Sequence, residues 1–240
     1  MVKPARADAW HRSDREFGSE RLGRMTDDAL ALHPPRQVRS RQAWRRVLDA
    51  GVVILEESGI PGFTIAAVCD RAAVAPRFLY DRAATKDALL LAVQEHGMSR
   101  MRPDEEAATD PASVAGLPPD PAIRRLVANL AGVFFTHRRF LTAIVLSSGQ
   151  HQEVSRRGGE RLGILRADFT AAIVTAAGPA ISHPDPELAV RSCFGDLASS
   201  LILRVAYGPG FAGPELSDAD YADHLGELAV RYLLGSAPPG

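Results

Sequence analysis

This sequence predicts an all-α fold, and three observations carry the prediction. Apolar residues recur at helical spacing in successive stretches from Trp44 to Tyr232, no stretch alternates apolar and polar residues as a half-buried strand does, and no internal repeat divides the chain. With 240 residues, 46% of them hydrophobic, the chain is long enough to bury a core. It has no apolar run of the roughly 18 residues that a bilayer-spanning helix needs, so no membrane partner is expected. The opening residues mix acids and bases without an apolar segment behind a positive start, so a secretory signal is not expected and a cytoplasmic, nucleoid-associated location is.

The elements follow in order. Residues 1–38 show no sustained periodicity and contain Pro34-Pro35, which predicts a disordered or loosely attached arm, with Met25 an alternative start. In RQAWRRVLDAGVVILEESG, Trp44, Val47, Leu48, Gly51, Val52 and Leu55 share one helix face, arginines crowd its start and Gly59 ends it. Thr64 caps a second short helix, with Phe63 and Val68 placed as a hydrophobic staple and Ile65, Val68, Cys69 and Ala72 as its buried stripe. Ala73-Val74-Ala75 is a turn, and Pro76 at a first helical position opens a third helix through Arg82. Thr85 caps a fourth, whose Leu89, Leu90 and Val93 face inward, and these elements make a head over residues 39–100.

The stretch PDEEAATDPASVAGLPPDP reads as an acidic, proline-rich linker over residues 103–120 that cannot continue a helix. Beyond it, residues 121–240 read as helical throughout. Ile123, Leu126, Val127, Leu130, Val133 and Phe134 form one stripe, and Phe140, Leu141, Ile144 and Val145 a second. Leu162, Leu165, Phe169 and Ile173 mark a long helix ending near Gly178, and a further helix runs from about Pro186 to Tyr207. The last begins at Asp218, read as a capping acid, and ends at Gly235. The 186–207 helix is apolar over most of its circumference, which predicts burial on two sides, one of them against a partner.

Net charge is −1, but the charge is segregated. Arg36, Arg39, Arg41, Arg45 and Arg46 fall within eleven residues without an acid, whereas Asp104, Glu105, Glu106, Asp110 and Asp120 occur without a base. Two short helices joined by three residues and braced by a third form a helix-turn-helix, whose second helix fits the roughly 12 Å major groove of B-DNA. Arg77 and Tyr80 fall on its groove side and Val74 and Phe78 on its packing side, while the arginines of the first helix meet phosphates. A flexible acidic linker would compete with phosphate for those arginines.

At these residues GIPGFTIAAVCDRAAVAPRFLYDRAATKDALL resembles the DNA-binding segment of TetR-family transcriptional regulators. The resemblance rests on Gly59 or Gly62, Phe63, Thr64, Val68, Cys69 in an alanine slot, Ala72, Val74, Leu79, Tyr80, Lys86, Asp87 and Leu89, and covers residues 40 to 95. It implies that Thr64, Tyr80 and Lys86 grip phosphates, that Arg77 faces the groove, that the last two helices form a homodimer, and that the helices between enclose a ligand pocket. With the arginine cluster, the expected DNA-binding set is Arg39, Arg41, Arg45, Thr64, Ala75, Pro76, Arg77, Tyr80, Asp81 and Lys86. The expected function is a repressor that binds a pseudo-palindromic double-stranded operator and responds to a small, apolar effector. The fold expectation becomes an N-terminal helix-turn-helix head and a C-terminal helical ligand-binding and dimerisation domain.

The chain departs from the family pattern in four places. Ala73 stands where glycine is usual, costing about 1 kcal/mol if φ is positive there. Ala75 replaces a capping hydroxyl residue, Asp81-Arg82 a His/Tyr pair, and Ala83 a phenylalanine. In the C-terminal region Asn129, Phe134, Phe140, Phe169 and Phe194 are candidate effector-pocket residues, with plain core the competing reading of the aromatics. Arg191 and Arg204 are polar positions in apolar helices. Val190, Leu197, Leu201, Val205, Tyr221, Leu225, Leu228 and Tyr232 are the candidate dimer interface. No metal or other cofactor is expected, since His137 and His151 lack partners at ligand spacing and Cys69 and Cys193 read as small buried hydrophobes. No nucleophile-elbow, paired-carboxylate or metal-ligand pattern points to an enzyme. The alternative is a dimeric small-molecule-binding or interaction module whose head no longer reads DNA.

Overall fold

A computed structural model describes residues 38–211 and 213–235, so the expected N-terminal arm and the Met25 start lie outside the described residues. Among these the chain forms nine α-helices and no strand: α1 Val38–Gly62, α2 Ile65–Ala72, α3 Pro76–Tyr80, α4 Lys86–Ala108, α5 Pro119–Thr136, α6 Arg138–Ser148, α7 Gln152–Ala177, α8 Pro186–Tyr207 and α9 Asp218–Leu234. No described helix is long and apolar enough to cross a membrane.

The stripe read from the first helix is the floor of the head. Trp44, Val47, Leu48, Val52 and Leu55 are all but inaccessible to solvent, and Gly59 breaks the helical path with φ 60° before a last turn to Gly62. Thr64 Oγ1 accepts from the amide of Ala67, and Thr85 Oγ1 from that of Ala88, so both hydroxyl caps form as the sequence suggests. Gly51 allows the close approach of α1 to α4, since a Cβ there would stand 2.4 Å from a methyl of Val93.

The linker expectation is corrected. Helix α4 continues through Pro103 to Ala108, and its last turns bury Met101, Glu105 and Ala108. Proline removes one backbone donor and strains one turn; burial on those turns outweighs that loss. A short 3-10 turn, Pro111–Val114, then leads to α5. None of the acids is left to compete for the arginine cluster. Asp104 pairs with His137, Glu105 with Arg161, Glu106 with Arg102 and Asp120 with Arg124, while Asp110 caps the 3-10 turn.

Helix α8 packs against α5, α6, α7 and α9 of its own chain. Its buried residues face these four helices, while Leu188, Leu203 and Tyr207 stay exposed. Ser217, not Asp218, caps α9, its Oγ accepting from the amide of Asp220. Asp218 instead receives Arg138 and Arg204, and the buried Arg204 guanidinium also donates to Leu216 O and lies 4.3 Å over the Tyr221 ring. Arg204 thus fastens the α8–α9 connection rather than orienting a ligand.

Candidate nucleic-acid interface and effector cavity

The helix-turn-helix is built from α2, the Ala73–Ala75 turn and α3. Ala73 takes the left-handed conformation, φ 52° and ψ 53°, the one non-glycine residue with positive φ among those described. Its amide and that of Val74 return to the carbonyls at the end of α2, which holds the turn closed. Helix α3 begins at Pro76 with no side-chain cap from Ala75 and ends at Tyr80, two residues before the expected end. Asp81 forms its C-cap, and Arg82 turns away from the groove side.

Arginine explains that shortening. Arg82 donates to Phe78 O and to Ser40 Oγ at the start of α1, and its guanidinium lies 3.7 Å over the Phe78 ring. Burial pulls its pKa below the ordinary arginine value, against the opposing effect of Asp81. Arg82 therefore braces the end of α3 on α1. Two more arginines hold the head: Arg46 Nε donates to Ala72 O at the end of α2, and Arg71 pairs with Glu57 of α1 at 2.5 Å. The inward anchor of α3 is Leu79, fully buried, with Phe78 half-buried beside it.

The residues of the expected reading face lie outward. Thr64, Ala75, Pro76, Arg77, Asp81 and Lys86 are exposed, as are Arg39, Arg41 and Arg45 on α1, and Tyr80 is 53% exposed. A rigid head with a basic and aromatic rim is the arrangement that phosphate contact and groove insertion require. Residues 47–93 match the family model for bacterial regulatory proteins of the tetR family. The match covers the helix-turn-helix segment from within α1 to within α4. The described fold extends the likeness over the C-terminal helices. A TetR-family transcriptional regulator from Mesorhizobium loti superposes with a TM-score of 0.62 at 18% identity, covering 81% of this chain and 98% of that one. A TetR-like regulator from Rhodococcus sp. RHA1 does so with 0.55 at 23% identity, covering 82% and 97%. PfmR, a TetR-family regulator from Thermus thermophilus, gives 0.54 at 16% identity, covering 81% and 100%. No curated protein sequence matches the chain.

The fold here forms a cavity of about 290 Å³, open to solvent near Ser155 and Gly159, between α4, α5, α6, α7 and α8. Of the expected pocket residues only Phe134 lines it. Phe140 is seated on Gly97 of α4, Phe169 and Phe194 pack tilted on each other at 5.5 Å in the core, and Asn129 is not on the wall. Phe140, Phe169 and Phe194 are thus core residues, and Phe134 alone of the four faces the cavity. Sequence reasoning missed Met98, Met101, Ile202, Glu105 and Arg161, which do line it. Glu105 was hidden in the supposed linker, and methionines carry little positional signal because they fill irregular space wherever it occurs.

The expected dimer stripe is likewise redistributed. Val190, Leu197, Leu201 and Leu225 are buried inside their own chain, and Val205 is turned to the cavity. Tyr221 is half-buried under Arg204. Only Leu228 and Tyr232 of the expected set face solvent, where Leu188, Leu203 and Tyr207 of α8 are exposed as well.

Proposed function

We propose that this chain is a TetR-family transcriptional repressor that binds a pseudo-palindromic operator as a homodimer and is switched by a small molecule in the cavity. The observation that carries the reading is the outward rim of α3, Arg77 and Tyr80, on a head whose inner side is fastened by Leu79 and Arg82. Arg77 reads base edges, Lys86, Thr64 and Tyr80 hold phosphates, and Arg39, Arg41 and Arg45 add the salt-dependent part of affinity. The exposed apolar residues of α8 and α9 support a two-fold helical interface. Such a dimer sets its two reading helices one DNA turn apart, about 34–36 Å.

Two helices join cavity to head. Helix α4 runs from Lys86 at the rim to Glu105 at the cavity, and α6 places Leu141, Ile144 and Val145 on the cavity wall while Arg139 Nε donates to Glu56 O of α1. A ligand that fits one position of these helices better than another shifts the spacing of the heads by its differential affinity. The test is recovery of genomic DNA fragments on the purified chain. Enrichment of fragments sharing a two-fold-symmetric site supports the reading, and fragments without a shared site overturn it.

A further inference from the structure

The cavity has one charged end. Apart from Ser148 and Ser155 its wall is otherwise apolar, and at the charged end Glu105 of α4, with only 7% of its side chain exposed, accepts from Arg161 of α7. A second, smaller cavity lies beyond the pair, lined by Arg102, Glu106 and Asp168, so the pair divides the apolar space from a charged crevice. Arg161 Nε is buried and has no hydrogen-bond partner among the described residues. On α7, Gly158 and Gly159 border the cavity, and a Cβ built on either meets nothing within 4 Å.

We propose that the cavity takes an uncharged amphipathic molecule of about twelve non-hydrogen atoms, its hydroxyl or carbonyl oxygen turned to Glu105 and Arg161 and its apolar body against Met98, Phe134, Leu162 and Ile202. The size follows from the volume, about twice that of a cavity known to hold benzene. The charge follows from the pair. Glu105 and Arg161 neutralise each other, and no other charged side chain lines the wall. A carboxylate has to take Arg161 from Glu105 and leaves a buried carboxylate without its counter-ion, and an ammonium group does the converse. A neutral oxygen leaves the pair intact and can hydrogen-bond to whichever of its polar atoms reach the cavity wall. The backbone room at Gly158 and Gly159 lets the apolar body extend along α7. This ligand class deepens the regulator reading and rests on it only for the ligand's effect on DNA.

The test is calorimetric titration of the intact chain with naphthalene, 1-naphthol, 1-naphthoate and the 1-naphthylmethylammonium ion. The expected result is one 1-naphthol per chain, with both ions at least about tenfold weaker and naphthalene weaker by a smaller factor. Gly158→Leu, whose Cβ meets nothing within 4 Å and whose side chain stands at the cavity border, is expected to abolish 1-naphthol binding while the chain still unfolds cooperatively. Glu105→Gln, which leaves Arg161 without its counter-ion, is expected to invert the preference toward 1-naphthoate. Tighter binding of either ion than of 1-naphthol to the unaltered chain overturns the proposal, as does absence of binding by the whole series or binding undiminished by Gly158→Leu. Binding as expected that leaves operator affinity unchanged retains the ligand class and removes the switch from the functional reading.

Discussion

Phe140 of α6 is seated on Gly97 of α4 so closely that a Cβ at Gly97 would stand 2.1 Å from the ring's Cζ. The contact joins the helix that reaches the head to the helix that lines the cavity. Gly97→Ala therefore has to push α6 away or force the ring off its rotamer, and overpacking of this kind costs about 1–3 kcal/mol. The expected outcome is a lower melting temperature despite alanine's better helix propensity. A melting temperature at or above that of the unaltered chain would show that the contact gives way freely.

The turn of the helix-turn-helix is improvable. Ala73 at φ 52° carries a left-handed cost that glycine does not, so Ala73→Gly is expected to stabilise the chain by about 1 kcal/mol. Ala75 leaves the first amides of α3 without a side-chain acceptor, and Ala75→Ser is expected to add about 1 kcal/mol. Chemical denaturation checks both. An Ala73→Gly variant less stable than the parent would mean that unfolded-chain entropy outweighs the local strain.

Under the proposed regulator reading the rim residues divide by role on DNA. Lys86→Ala is expected to weaken binding to all sequences alike and to lower the slope of log K against log salt by about 0.9. Arg77→Ala is expected instead to flatten the preference among operator variants, by about 1–3 kcal/mol at the position it reads. Asp81→Asn removes a negative charge from the end of α3 and is expected to tighten binding most at low salt. Anisotropy titrations over a range of salt and half-site sequences separate the three, and equal losses of specificity from Lys86→Ala and Arg77→Ala would contradict the division.

How much of this was legible in the sequence depends on what each residue's signal consists of. The α1 stripe, the two threonine caps and the Pro76 start were readable because each follows from spacing or from a local hydrogen bond. The continuation of α4 was not. Pro103 and the acids after it look like a break, and only the tertiary burial of Met101, Glu105 and Ala108 explains why the helix persists. Apolar residues on α8 and α9 announced burial but not against what, since Val190 and Leu188 differ in exposure through the placement of neighbouring helices and not through hydropathy. Arg82 could be seen as unusual, yet its bond to Ser40 spans 42 positions that no local pattern connects.

The dimer reading yields a prediction in which two leucines three residues apart behave oppositely. Leu228 is 49% exposed on α9, whereas Leu225 is buried in its own chain. Leu228→Glu, together with Tyr232→Glu, is expected to give a folded monomer in sedimentation and to lose cooperative operator binding. Leu225→Ala is expected to cost about 2–5 kcal/mol of stability in any oligomeric state. A Leu228/Tyr232 double variant that remains dimeric would move the interface elsewhere on the surface.

Burial, with a smaller contribution from Asp196, pushes the Cys193 thiol of α8 up to about 12. Cys69 is also raised, by burial first and then by Asp70. A free thiol ionises near 8.5, so above that value the unfolded chain loses protons that the folded chain retains. The stability linked to Cys193 is complete below about pH 8.5 and declines as pH rises toward 12, by about 2 kcal/mol at pH 10. Thiol-specific reagents at pH 8 are accordingly expected to label the native chain only as fast as it opens. Cys193→Ala, with each variant referred to its own stability at pH 7, is expected to flatten the alkaline limb of the denaturation profile. An unchanged limb between pH 9 and 11 would place the thiol in contact with water, and rapid native labelling would do the same.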